Sequence, residues 1–248
     1  MDQNQEPERD KLEGGDLHVK HGKAWHWFDN FWYHYKWQTI IAAIGLFAVI
    51  VCILSTCRRT EPEYYFYYAG SGEFSGAEQR AIVSSLSKAS GKDGDSADVS
   101  ISFLFYMTED QVARFREEHA GDGLTISGSQ IGQNRDLLRD EILAGNALIF
   151  FMDPEVLADE QARSTEGAFL PVRDLAPAGT PDEAFSGEYG IYLDYTVFRD
   201  DPAFAVFPEG TVVAIRNYVS ALSLFQRDKA LETHAKYEEL FKKWLTIE

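Results

Sequence analysis

The stretch AGSGEFSG (69–76) places three glycines and two serines between an apolar run and an amphipathic one. Backbone N–H groups bared by such a turn can cradle a phosphate, and small residues let a ligand approach closely. The spacing Gly70-x-Gly72-x-x-x-Gly76 is one residue too long for the dinucleotide fingerprint, and no acidic residue ends the next apolar run. Ser71 and Gly72 nonetheless fall where open α/β sheets bind ligands, beyond the carboxyl end of a strand. Asp153 closes another apolar run, ALIFFMD, and is the best placed of the many carboxylates. Ser71, Gly72 and Asp153 are therefore the expected ligand-contacting residues, although Asp153 before Pro154 also suits a helix N-cap.

Other chemistry is less well supplied. DGDSAD (93–98) offers three carboxylates but lacks the length, turn glycine and terminal glutamate of a calcium loop. GSQIG (128–132) has the frame of a nucleophile elbow with Gln130 at the nucleophile's position. His18, His21, His26 and His34 cluster near the N-terminus without cysteines or carboxylates to complete a metal shell. Beyond residue 60 the histidines are His119 and His234, each near a helix end. Neither a catalytic residue nor a metal or cofactor is expected.

The elements that position these residues follow from periodicity. YYFYYAG (64–70), VSISFLFYM (99–107) and ALIFFMD (147–153) read as buried strands. Helices are expected over 75–90, 108–120 with Thr108 as N-cap, and 134–146. Alternation of strands with helices predicts βαβ units in a mainly parallel, three-layer α/β domain over 64–248. YGIYLDYTVF (189–198) and GTVVAIRNYV (210–219) are two further strands with only a short, irregular connection. A last helix, about 220–245, carries an apolar stripe of Tyr237, Leu240, Phe241 and Trp244.

Ahead of this domain lies an address. Residues 1–24 are polar and read as a disordered cytoplasmic tail. Trp37 to Cys57 contains no charged residue, and a helix of that length spans the ~30 Å core of a bilayer. The preceding WHWFDNFWYHYKW holds four of the five tryptophans. Aromatic rings with one polar atom settle at headgroup level. Trp25, Trp27, Phe28, Trp32, Tyr35, Lys36 and Trp37 on one side, with Arg58 and Arg59 on the other, are thus the expected membrane-interface residues. Residues 25–57 form the interfacial segment and span, and 58–63 a linker. Lys20, Lys23 and Lys36 before the span outnumber Arg58 and Arg59 after it, which favours an inside N-terminus and an extracellular C-terminal domain. Leu54-Ser55-Thr56-Cys57 carries a minor alternative, a lipidated Cys57, with Thr56 a poor match.

The net charge of −17 argues against nucleic acid as a partner, and residues 60–248 carry the whole excess, 16 basic against 33 acidic groups. With Cys52 and Cys57 the two cysteines, that portion has no disulfide framework. The remaining partners are the lipid bilayer and either another membrane protein or a small solute.

NRDLLRDEILAGNALIFFMDPEVLADEQ, followed by GAFLPVRDL, resembles a passage of bacterial extracellular solute-binding proteins with the type 2 periplasmic-binding fold. The overall layout is similar to uncharacterised single-pass proteins of Gram-positive bacteria. The resemblance implies a lobe of that fold, displayed outside the membrane as a non-catalytic binding, sensing or interaction module. Such proteins have two lobes enclosing the ligand, whereas about 185 residues here suffice for one lobe and a little more. A membrane-tethered hydrolase, or a structural subunit of a membrane assembly, are the alternatives.

Overall fold

The computed structural model describes residues 23–57, 62–92, 98–122, 126–144, 146–164, 167–218 and 227–245. The chain separates into two units, Met1–Thr60 and Glu61–Glu248. The tail before residue 23, Arg58, Arg59 and most of DGDSAD lie outside the described residues.

In the first unit a single α-helix, α1, runs from Lys23 to Cys57, so the aromatic segment and the apolar run are one continuous rod. Its apolar stretch Phe31–Cys52 is 22 residues long, about 33 Å at the α-helical rise, and none of it is buried in protein. Trp32, Tyr35, Lys36 and Trp37 are exposed, and Phe31 stacks on Tyr35 with centroids 5.3 Å apart. An apolar helix of this length is compatible with a membrane anchor.

The second unit is built on one six-stranded sheet in the order β2-β1-β3-β6-β5-β4. The strands are β1 (Tyr64–Gly70), β2 (Val99–Phe105), β3 (Ile149–Met152), β4 (Phe185–Ser186), β5 (Gly190–Tyr192) and β6 (Val212–Ile215). The helices are α2 (Gly76–Ala89), α3 (Glu109–Glu118), α4 (Gly128–Ala144), α5 (Pro154–Arg163) and α6 (Arg227–Trp244). Successive residues of a strand face opposite ways. Tyr64, Phe66 and Tyr68 of β1 therefore join one core with α2 and α6, and Tyr67 and Ala69 a second with α3, α4 and α5. Both faces are covered, which makes three layers.

The expectation of a mainly parallel sheet needs correction. β1 pairs in parallel with β2 and β3, but the β3–β6, β6–β5 and β5–β4 pairs are all antiparallel. Helices α2, α3 and α4 carry the chain back across the sheet for the first three strands, as a parallel return requires. β4 and β5 are joined by the short turn 187–189 and reverse directly, whereas β6 enters between β3 and β5 after the longer connection 193–211, which contains the 3-10 turn Leu193–Tyr195, and runs antiparallel to both. The expected strand 189–198 shrinks to β5, and α4 begins six residues before its expected start, because GSQIG is its first turn.

The first core is aromatic. Trp244 of α6 lies 5.2 Å from Phe66 and 4.8 Å from Phe198, ring to ring, and its Nε1 donates to the Ala89 carbonyl at 3.2 Å. Tyr237 accepts the Tyr65 N–H at 2.6 Å and packs edge-on against Tyr64. The apolar stripe of α6 is buried as its spacing predicts, and the Glu238–Lys242 pair forms at 2.7 Å on its outer side. Of the last helix expected from about residue 220, the part before Arg227 lies outside the described residues.

Candidate functional site

Strands β1 and β3 are parallel neighbours, with Ala69 opposite Met152. Beyond β1 the chain turns to α2 on one face of the sheet, and beyond β3 it turns to α5 on the other. Loops that part in this way leave a crevice at the carboxyl end of the sheet, the usual ligand position of open α/β folds. Ser71, Gly72 and Asp153 all come to this point, although Ser71 and Asp153 are 82 residues apart.

The crevice is spanned by its own side chains. Asp153 Oδ2 accepts the Ser71 N–H at 3.1 Å, the Ser71 hydroxyl at 3.1 Å and the Gln111 amide at 3.3 Å. Gln111 is held for this by a capping box, in which its Oε1 accepts the Thr108 N–H and Thr108 Oγ1 accepts the Gln111 N–H. Asp153 occupies the N-cap position of α5, but its side chain makes no cap bond; it reaches across to the other strand end instead. The expected N-cap role for the carboxylate is thus replaced by a tie between two loops. The Gly72 N–H donates to the Tyr68 hydroxyl at 2.8 Å, and the Tyr106 N–H to the Gly70 carbonyl at 2.8 Å.

The glycines are there for closeness. A Cβ on Gly70 would stand 2.6 Å from both Asp153 Oδ1 and the Tyr68 hydroxyl, and one on Gly72 2.7 Å from that hydroxyl. Neither needs a left-handed backbone, so the requirement is for space. Gly76 begins α2, whose N-cap Ser75 forms a capping box with Glu78. The phosphate-loop pattern therefore dissolves. The Ser71 N–H is taken by the Asp153 carboxylate and the Gly72 N–H by the Tyr68 hydroxyl.

Asp153 is only 6% exposed. Burial raises its pKa, against the pull of the Ser71 and Gln111 hydrogen bonds, and the Glu155 charge adds to the rise. Tyr68 is likewise pushed well up, first by burial and then by the Asp153 charge. A buried acceptor with three donors fixes the geometry of the two strand ends or receives a ligand's donor.

The two histidines of this unit are also spent on structure. His119 caps α3, with Nδ1 2.9 Å from the Phe115 carbonyl, and His234 is buried with Nε2 2.9 Å from the Arg216 carbonyl. Among the described residues no group of three or more His, Cys, Asp or Glu is placed to hold a metal ion. Trp25, Trp27 and Phe28 lie on the helical backbone of α1.

Sequence reasoning missed Gln111, whose signal was the Thr108-x-x-Gln111 capping box, and Tyr68, hidden in an aromatic strand. It also missed Arg216. This guanidinium is buried and donates from Nη1 to the Ile142 carbonyl at 2.8 Å, capping the last turn of α4, while its Nε has no hydrogen-bond partner. Burial lowers its pKa to about 10 despite the Glu141 charge. Two surface clefts lie elsewhere. One, of about 350 Å³, separates α3 from α4; the other, of about 500 Å³, separates α5 from the β4–β5 turn. In comparisons with known proteins, no family model, curated protein or solved structure matches the chain.

Proposed function

We propose that the chain is a single-pass membrane protein whose α/β unit is displayed outside the cell as a non-catalytic binding or interaction module. The observation that carries this reading is the 22-residue apolar stretch of α1, unburied along its length, ahead of a unit with two cores of its own. The lysine and arginine balance around the span supports an inside N-terminus. The β2-β1-β3 order with a switch-point crevice between β1 and β3 supports a lobe related to type 2 periplasmic-binding proteins, with Ser71, Gly72 and Asp153 at its ligand-facing edge. Because Ser71 and Asp153 bond to each other, a ligand there must replace the Asp153 bridge with donors of its own.

Protease protection tests the topology. With the full chain in intact cells, external protease removes the α/β unit and leaves the N-terminal tail protected. Shielding of the α/β unit would overturn the extracellular reading. Recovery of the chain in the soluble fraction after cell breakage would overturn the anchor itself.

A further inference from the structure

The GSQIG motif finds a use that an elbow does not explain. It forms the first turn of α4, and Gly128 and Gly132 line the cleft of about 350 Å³ between α3 and α4. A Cβ built on either glycine meets no atom within 4 Å, so these positions leave open space. Val112 and Ile131, both part of the second core, supply an apolar wall, and the buried Tyr106 adds a phenol ring. Arg116 from α3 and Arg135 from α4 both line the same cleft.

Two guanidiniums at one cleft are notable in a region where acids outnumber bases 33 to 16. Their present partners hold them loosely. Arg135 is 3.4 Å from Glu109, which also lines the cleft and whose side chain is 80% exposed, and 4.0 Å from the exposed Asp136. Arg116 gives one Nη2 bond, 3.2 Å, to the Ile126 carbonyl. A guanidinium has five N–H donors in a fork suited to a carboxylate or phosphate, so most of this capacity is unspent. The first turn of α4 carries no acidic residue, and its positive end adds to the same field.

We infer that the α3–α4 cleft binds one small oxyanion, a carboxylate or phosphate carried on a short apolar body. The oxyanion takes the Arg116 and Arg135 forks, displacing Glu109 toward solvent, and the apolar body lies on Val112, Ile131 and Tyr106. The volume falls at the small end of ligand pockets, roughly 300–1,000 Å³. The inference stands apart from the membrane anchor and from the Asp153 crevice, since it uses neither.

The test uses the full chain in detergent micelles at constant ionic strength, titrated calorimetrically with succinate and with inorganic phosphate, and with chloride as control. Saturable binding of either probe, one per chain, supports the site, and the stronger probe tells carboxylate from phosphate. Arg135→Ala then weakens it by about tenfold or more, the worth of a charge-assisted pair. Gly132→Leu narrows the cleft without touching a charge and replaces a helical glycine by a better helix former. It abolishes binding while leaving the melting temperature of the free protein no lower. Absence of saturation with both probes overturns the inference. So does binding that survives both substitutions, since the anion then sits elsewhere.

Discussion

Gly70→Ala is the smallest change that separates a tie from mere proximity at the carboxyl end of the sheet. The added methyl carbon would stand 2.6 Å from Asp153 Oδ1, 3.0 Å from its Cγ and 2.6 Å from the Tyr68 hydroxyl. Contacts below 3.0 Å do not persist, so the Asp153 carboxylate must withdraw. Withdrawal strains or breaks its bonds to Ser71 N, Ser71 Oγ and Gln111 Nε2. A hydrogen bond to a charged group is worth about 1.5–3 kcal/mol and overpacking costs roughly 1–3 kcal/mol. Partial relaxation brings the expected loss to about 3 kcal/mol. For a unit of this size that lowers the melting temperature by roughly 6–12 °C. Chemical denaturation of the full chain in micelles, followed by tryptophan fluorescence, measures it. Because the clash is with one side chain in particular, the cost of Gly70→Ala shrinks by about half in an Asp153→Ala background. A loss below about 0.5 kcal/mol, or the same loss in both backgrounds, would refute the argument that Gly70 exists to admit Asp153.

Asp153→Asn keeps an acceptor for Ser71 while removing the buried charge. Since the folded protein holds the Asp153 pKa above its ordinary 3.8, ionisation costs stability as pH rises from 3.8 through the raised value. The asparagine variant is therefore at least as stable as the parent at pH 7, and its advantage fades as pH falls below that window; a lower melting temperature at pH 7 contradicts this. Trp244→Ala empties the centre of the aromatic core and strands the Ala89 carbonyl, costing about 3–5 kcal/mol by denaturant titration. Arg216→Met fills the same buried space without a charge that lacks a bonded carboxylate, and shifts stability by less than about 1.5 kcal/mol. Arg216→Glu costs more than about 3 kcal/mol, with Glu141 nearby.

Much of the α/β frame was legible because its residues keep time. β1 alternates Tyr64, Phe66 and Tyr68 with Tyr65, Tyr67 and Ala69, and α6 spaces Tyr237, Leu240, Phe241 and Trp244 along one face. Thr108 announced α3 through its cap. In the antiparallel half β5 and β6 fall inside the strands expected at 189–198 and 210–219, but β4, two residues long, is too short to show alternation, and the antiparallel direction was not legible. Glycines at 128 and 132 concealed the start of α4, because local propensity argued for a loop while packing of Ile131 and Leu138 held a helix. At the candidate site, Ser71 and Asp153 could each be placed at a strand end. Their bond could not be foreseen, because it depends on β3 lying beside β1 with β2 on the far side, a neighbourhood that no short spacing encodes.

The bond from the Tyr65 N–H to the Tyr237 hydroxyl spans 172 residues. A ribosome therefore makes β1, with its four tyrosines and one phenylalanine, long before it makes the helix that covers it. At roughly 5–20 residues per second, that interval lasts on the order of ten seconds or more. Throughout it, one side of YYFYYAG must be shielded by a chaperone or by provisional contacts, or else meet the same strand on a neighbouring nascent chain. The late arrival of α6 makes synthesis, more than the finished fold, the stage at which this protein is most exposed to aggregation.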